Sequence, residues 1–206
     1  MATQHGVLSD NEIKRAIKQG WIAADAPFLD DQIQPASVDL RLGEIAYRLR
    51  ASFLPGAGAK VRDRLDDELV MHKIDLTQGA VLETGCVYLV PLQERLKLPK
   101  DLSAAANPKS STGRIDVFVR AVTDRARAFD GMAAGYKGEI YAEISPRTFS
   151  VLARTGDRLL QLRVRRGAQK SVRELTFSLD LHPTATDIVG YRAKRHSRVI
   201  DLAGVG

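Results

Sequence analysis

The sequence predicts a mainly β fold, a sandwich or barrel of short strands, preceded by one short helix. Three observations carry this reading. Short apolar–polar alternations recur along the chain, turn residues separate them at intervals of about 8–12 residues, and no βαβ rhythm intervenes. The helix is placed at residues 8–20. Ser9 is its N-cap, Glu12 three residues later completes a capping box, and Ile13, Ala16 and Ile17 share a face before Gly20 ends it. Residues 38–42 alternate apolar and charged side chains as a half-buried strand does, and residues 44–49 continue in the same style after Gly43. Residues 51–70 are rich in charge and contain glycine and proline, so a surface excursion is expected there. Strands are then expected at residues 73–76, 80–83 and 86–92, divided by Gly79 and Gly85, and at 116–122, 139–144, 149–152, 158–164 and 172–179. The simplest division is a single domain over residues 1–206, with a helical segment at 1–25 and a basic tail at 180–206.

Composition narrows the class of function. At 206 residues, with 44% hydrophobic and 27% charged side chains, the chain can bury a sizeable core. No apolar run approaches the roughly 20 residues a membrane helix needs, and residues 1–6 lack the basic-then-apolar pattern of a signal peptide. The single cysteine, Cys86, rules out an intrachain disulfide and favours a cytoplasmic setting. It sits in an apolar run, Cys-Val-Tyr-Leu-Val, and reads as a small buried hydrophobe. The net charge of +6 suits a nucleic acid, an anionic membrane or a phosphorylated small molecule. Basic residues cluster at Arg158, Arg163, Arg165 and Arg166 and at Arg192, Lys194, Arg195 and Arg198. Aromatic residues are only 6% and do not alternate with the basic ones, so no nucleic-acid partner is expected, and a solvated basic face is the default reading of either cluster; no membrane partner is expected either. One cysteine cannot supply the ligands of a zinc nucleobase deaminase, and the scattered His5, His72, His182 and His196 form no metal-ligand pair. A P-loop and a nucleophile elbow are also missing from the sequence.

Three segments carry chemistry. Residues 34–43 read Gln-Pro-Ala-Ser-Val-Asp-Leu-Arg-Leu-Gly. Lys109, Ser110, Ser111, Thr112, Gly113 and Arg114 combine hydroxyls, cations and backbone freedom, the ingredients of a phosphate cradle, although a polar turn before the next strand has the same composition. Residues 138–144 read Gly-Glu-Ile-Tyr-Ala-Glu-Ile, and alternation places Glu139, Tyr141 and Glu143 on one strand face. A carboxylate there can serve as general base for a water; on a surface strand the same two glutamates would simply be solvated.

Together these segments, with residues 156–162 (Gly-Asp-Arg-Leu-Leu-Gln-Leu), resemble the dCTP deaminase/dUTPase family over most of the chain, from Leu8 to Val164. Residues 109–114 resemble the deaminase pattern Arg-Ser-Ser-x-x-Arg, with Lys109 in place of the first arginine. The resemblance implies a distorted β-barrel of jelly-roll type that assembles as a trimer with active sites at subunit interfaces. It implies hydrolytic deamination of dCTP to dUTP and ammonia without a metal cofactor, Mg²⁺ riding on the triphosphate. Glu143 matches the catalytic glutamate, while Ser110 and Arg114 match residues that orient the water and stabilise the tetrahedral intermediate. Lys109, Ser111, Thr112 and Gly113 would hold phosphates, the main chain at Tyr141 and Ala142 would read the pyrimidine edge, and Gln161 resembles a phosphate- or interface-contacting glutamine. Tyr191, Arg192 and Lys194 would belong to a C-terminal flap over the phosphates. Residues 123–136 depart from the family pattern: the stretch is longer, lacks a histidine and has Ala133-Ala134 before Gly135. The alternatives are a dUTP diphosphatase or bifunctional enzyme, for which Asp124 or Asp130 would activate water, and a catalytically silent nucleotide-binding subunit. The chain also resembles the N-terminal half of longer, two-copy family members.

Overall fold

A computed structural model describes residues 5–167 and 197–204, together with residues 176, 178, 182, 188 and 194 singly. Its strands, in chain order, are β1 (Gly6–Val7), β2 (Ile22–Ala24), β3 (Ile33–Gln34), β4 (Ser37–Arg41), β5 (Ile45–Leu49), β6 (Val70–Asp75), β7 (Ala80–Leu82), β8 (Val87–Lys97), β9 (Leu102–Pro108), β10 (Val117–Thr123), β11 (Gly131–Met132), β12 (Lys137–Pro146), β13 (Ser150–Ala153), β14 (Arg158–Arg166) and β15 (Val199–Asp201). Helix α1 (Asp10–Lys18) follows β1, and α2 (Ser110–Arg114) joins β9 to β10. The first sheet runs β11-β9-β14-β4-β3, with β1 beside β14. The second runs β10-β12-β8-β5-β6, with β2 beside β8. A small third sheet, β15-β13-β7, includes the parallel pair β13–β15. The mainly β, jelly-roll-like character expected from the sequence is what the chain shows, and among the described residues these sheets do not join into a closed barrel.

Alternation explains where the core sits. Val38, Leu40, Leu160, Leu162 and Val164 from the first sheet are buried in one cluster with Val90, Val119, Ala121, Ile140, Ala142 and Ile144 from the second. The even-numbered side chains of β12 therefore face this core, and the odd-numbered ones face away from it. That outer face carries its own apolar cluster, built from Leu49, Val61, Leu89, Val122 and Tyr141. Val61 belongs to residues 51–70, which form the expected surface excursion with most side chains exposed, but Val61 is buried and, with partly buried Phe53, Leu54 and Leu65, packs the stretch onto the second sheet.

The 34–43 motif is explained mainly by packing. Val38, Leu40 and Leu42 enter the core, and Gly43 N–H donates to Pro91 O at 2.8 Å. A Cβ at Gly43 would lie 2.6 Å from that carbonyl oxygen, so the approach requires glycine. Arg41 reaches across to Glu94 of β8 and joins the two large sheets, Nε donating to Oε1 at 2.8 Å, while its own N–H donates to Oε2 at 2.7 Å. Gln32 Nε2 also donates to Glu94 Oε1, at 2.8 Å. The pair is almost fully buried, and these extra bonds satisfy its charges.

The capping box on α1 is present, Ser9 N–H donating to Glu12 Oε2 at 3.0 Å. Three details differ from expectation. Strand β9 was not anticipated, because Leu-Ser-Ala-Ala-Ala-Asn-Pro is poor in strand formers; its pairing with β14 along its whole length supplies the order. Cys86 is half-buried rather than buried: it packs against the core, and Arg48 Nη2 donates to its sulfur at 3.0 Å. Residues 199–201 of the basic tail form a strand followed by a 3₁₀ turn, Leu202–Gly204. The strand expected at 172–179 falls almost wholly outside the described residues.

Candidate active site

The hydroxyl-and-cation segment forms a single helical turn, α2, rather than an open loop. Lys109 is its extended N-cap residue and donates its N–H to Leu159 O at 2.9 Å; Thr112 Oγ1 donates to the same carbonyl at 3.3 Å. The turn ends at Asp116, whose φ of 55° lies in the left-handed region. That conformation is held from both ends: Arg147 N–H donates to Asp116 O at 3.0 Å, and Thr148 Oγ1 donates to Asp116 Oδ2 at 2.5 Å. Ser110, Gly113 and Arg114 are left exposed, and Arg114 makes no ion pair among the described residues.

Behind α2 lies a small pocket of about 210 Å³ lined by Lys109, Ser111, Thr112, Asp157, Arg158 and Leu202, among others. Its cations are not free. Lys109 Nζ lies 2.8 Å from Asp39 Oδ2, and Arg158 Nη2 lies 2.7 Å from Asp31 Oδ2. The guanidinium of Arg158 holds the Asp31 carboxyl below the usual carboxylate range, whereas burial pushes Asp157 above it. An incoming phosphate would have to compete with Asp39 and Asp31 for these cations. Gln161, on β14 between Asp39 and Asn107, accepts a bond from Ser37 Oγ at 3.3 Å.

Glu143 stands on the outer face of β12 with Glu139 and Tyr141, as alternation requires. The two glutamates differ sharply: the Glu139 side chain is 39% exposed and that of Glu143 is 3% exposed. Glu139 is bidentate with Arg62, at 2.9 and 2.8 Å, and accepts from Tyr141 Oη at 2.6 Å. Burial raises the Tyr141 hydroxyl pKa well above its ordinary value, which keeps it a donor. Glu143 Oε1 accepts from Arg120 Nε at 2.7 Å, whereas its Oε2 is buried with no hydrogen-bond partner. The main chain of Tyr141 and Ala142 lies mid-sheet, opposite Val122 and Ala121 on one side and Pro91 and Val90 on the other. The ladder is irregular between Glu139 and Tyr141, next to Pro91, which has no N–H to offer.

Within one chain the structure thus gathers Lys109, Ser111 and Thr112 around one pocket and places Glu143 elsewhere, with no bond to Ser110 or Arg114 among the described residues. Lys194 is exposed, and Tyr191 and Arg192 lie outside the described residues. Asp124 Oδ1 accepts Val61 N–H at 2.9 Å, and Asp130 Oδ1 accepts Ala121 N–H at 2.7 Å, so both aspartates are engaged by backbone. A larger cavity, about 1090 Å³, opens beside residues 123–137; Trp21, Lys97, Lys100, Arg125, Arg127 and Tyr136 help to line it, and Glu143 does not. Among the described residues no three His, Cys, Asp or Glu side chains cluster to hold a metal ion, and no helix is long and apolar enough to cross a membrane. Sequence reasoning missed Arg120 and Ser52. In the strand expected at 116–122, period-two alternation puts Arg120 on the face opposite Val117, Val119 and Ala121, but only strand register reveals that it stands across from Glu143.

This arrangement is a β scaffold with a buried carboxylate on one sheet and a hydroxyl-and-cation turn on another edge. Comparison with known proteins identifies its lineage. The profile of the 2'-deoxycytidine 5'-triphosphate deaminase N-terminal domain matches residues 4–168, and that of the corresponding C-terminal domain matches residues 150–206. The crystal structure of 2'-deoxycytidine 5'-triphosphate deaminase from Agrobacterium tumefaciens is similar, with a TM-score of 0.83 and 46% identity over 98% of this chain and 66% of that one. The chain therefore spans just under two thirds of that relative's length. The dCTP deaminase of Halorubrum lacusprofundi is 32% identical over 76% of this chain and 75% of its own. A protein of Methanothermobacter thermautotrophicus named dCTP deaminase, dUMP-forming, is 34% identical over 68% of each chain. The chain belongs to the dCTP deaminase family.

Proposed function

We propose that this chain deaminates dCTP hydrolytically, forming dUTP and ammonia, with Glu143 as the general base. The observation that carries the reading is the Glu143 carboxylate in a chain of this family: one oxygen is fixed by Arg120, and the other is buried and unpartnered. A buried acceptor without a donor is costly, and an attacking water would satisfy it. Glu143 takes a proton from that water as its oxygen bonds to C4 of the cytosine and the C4=N3 π pair moves onto N3, giving the tetrahedral intermediate. It then passes the proton to the amino nitrogen, the exocyclic C4–N bond breaks with its pair leaving on ammonia, the remaining hydroxyl proton ends on N3 as the C4 carbonyl forms, and the carboxylate is restored. Ser110 and Arg114 stabilise the tetrahedral intermediate. Lys109, Ser111, Thr112, Gly113 and Gln161, with Tyr191 and Lys194 from the C-terminal segment, hold the phosphates, and the main chain near Tyr141 and Ala142 reads the base. Mg²⁺ accompanies the triphosphate and the protein contributes no metal of its own. The proposed setting is the cytoplasm, where a lone cysteine stays reduced.

The separation of Glu143 from Ser110 and Arg114 fits a site shared between copies, in which one copy's α2 meets another copy's β12 in a trimer-like assembly. Exposure of Ser110 and Arg114 supports this. Because Glu143 is covered, side chains around it must yield when the base binds.

The reading is tested by ammonia release from dCTP with Mg²⁺. The unaltered chain should release ammonia and dUTP, and Glu143→Gln should lower the rate by about 10³-fold or more. Pyrophosphate and dUMP in step with ammonia would indicate the dUMP-forming variant of the reaction. No ammonia from the unaltered chain, or full activity in Glu143→Gln, would contradict the proposal.

A further inference from the structure

Arg120 stands directly opposite Glu143 across β10 and β12. Its guanidinium is held on three sides. Nε donates to Glu143 Oε1 at 2.7 Å, and Nη2 donates to Ser52 Oγ at 2.6 Å. Its Cζ lies 3.5 Å from the centroid of the Phe129 ring, a close cation–π stack, and 5.3 Å from that of Phe118. A carboxylate turns easily about its terminal torsion, which is broad and two-fold. A guanidinium locked by a hydroxyl and an aromatic face removes that freedom, and it leaves Oε2 as the oxygen without a partner.

Ser52 does not come from the sheets. It belongs to residues 51–69, which are stitched onto the connection after β10: Arg125 N–H donates to Ala59 O at 2.9 Å, Gly56 N–H to Ala126 O at 3.1 Å, and Val61 N–H to Asp124 Oδ1 at 2.9 Å. Val61 is fully buried in the outer cluster, and Arg62 grips Glu139 on the same face of β12. The segment thus reaches the catalytic face at two points, Ser52 through Arg120 and Arg62 through Glu139.

We propose that Arg120 is a positioning residue for the deamination: it fixes the plane of the Glu143 carboxylate through Oε1 so that Oε2 meets the water, with Ser52 anchoring it from segment 51–69. The assignment rests on the reading of Glu143 as the base. Arg120 touches no substrate atom in this role, so its loss acts on turnover and leaves nucleotide affinity nearly intact. A displacement of about 1 Å in such a group is worth roughly 100-fold in rate.

The test is steady-state ammonia release from dCTP by the full chain and by Arg120→Ala, Arg120→Lys, Ser52→Ala and Glu143→Gln, each with its melting temperature. Arg120→Ala should lose about 100-fold in kcat with KM within about threefold, and free guanidinium should restore about tenfold. Arg120→Lys should stay well below the unaltered chain, because an ammonium lacks the planar fork that spans Glu143 and Ser52. Ser52→Ala, at an exposed site, should lose about threefold in kcat at an unchanged melting temperature. Full kcat in Arg120→Ala, or a raised KM with kcat retained, would overturn the assignment, the latter marking a phosphate contact. A loss that guanidinium does not restore and that follows a fall in melting temperature would overturn it as well. Full activity in Glu143→Gln would instead remove the base on which the assignment rests.

Discussion

Glu139 and Glu143 lie on one face of one strand, yet one is a half-exposed partner of Arg62 and the other is a buried partner of Arg120. At the residue scale the neighbours decide what a carboxylate does. Glu94 makes the same point for stability. It is fully buried and holds both the side chain and the N–H of Arg41. Arg41→Met would strand its charge, and we expect a loss of about 3–5 kcal/mol in urea unfolding; a change below about 1 kcal/mol would contradict the structural role given to this pair. Asp157 provides a pH test. Burial raises its pKa although it accepts Arg154 N–H at 2.7 Å. A carboxyl with a raised pKa in the fold favours the folded state below its ordinary value, and that contribution is lost as pH rises through the raised one. Asp157→Asn keeps an acceptor without the charge. Its melting temperature relative to the unaltered chain should therefore be higher at about pH 7 than at about pH 3, and the reverse order would contradict the assigned cause.

At the scale of elements, the α2 turn depends on the residue that ends it. Asp116 adopts a left-handed φ and answers Thr148 with its side chain. Asp116→Ala keeps the backbone strain and loses the bond, so it should cost about 2 kcal/mol and blur the presentation of Ser110 and Arg114; Asp116→Gly relieves the strain and should cost less. Equal stability of the two variants in thermal melts would argue against this account of the turn. Elements also show what sequence could reveal. The alternation at residues 38–42 and 138–144 was legible, as was the face shared by Glu139, Tyr141 and Glu143, because period-two patterning is a local property. Strand β9 was not, because three alanines carry little strand preference until β14 pairs with them. The burial of Val61 was hidden by the charges around it in residues 51–69, and the Arg120–Glu143 pair by a separation of 23 residues that only strand register closes.

For the whole molecule, the two large sheets place the proposed machinery on separate surfaces. Glu143 faces outward from the second sheet beneath residues 51–69, while α2 leaves Ser110 and Arg114 exposed where β9 gives way to β10. The resemblance between sequences nominates all three residues and implies sites at subunit interfaces, but it does not say which of them a single chain keeps apart. The central claim is that dCTP deamination uses Glu143 from one copy with Arg114 from another. Its most direct test is to mix Arg114→Ala chains with Glu143→Gln chains, each inactive alone, under conditions that allow subunits to exchange, and to measure ammonia release from dCTP. Closed symmetric assemblies of the mixture should regain about a quarter of the unaltered activity, because an intact site then needs Glu143 from the first variant and Arg114 from the second. A mixture that stays as inactive as its components despite proven exchange would contradict the shared site.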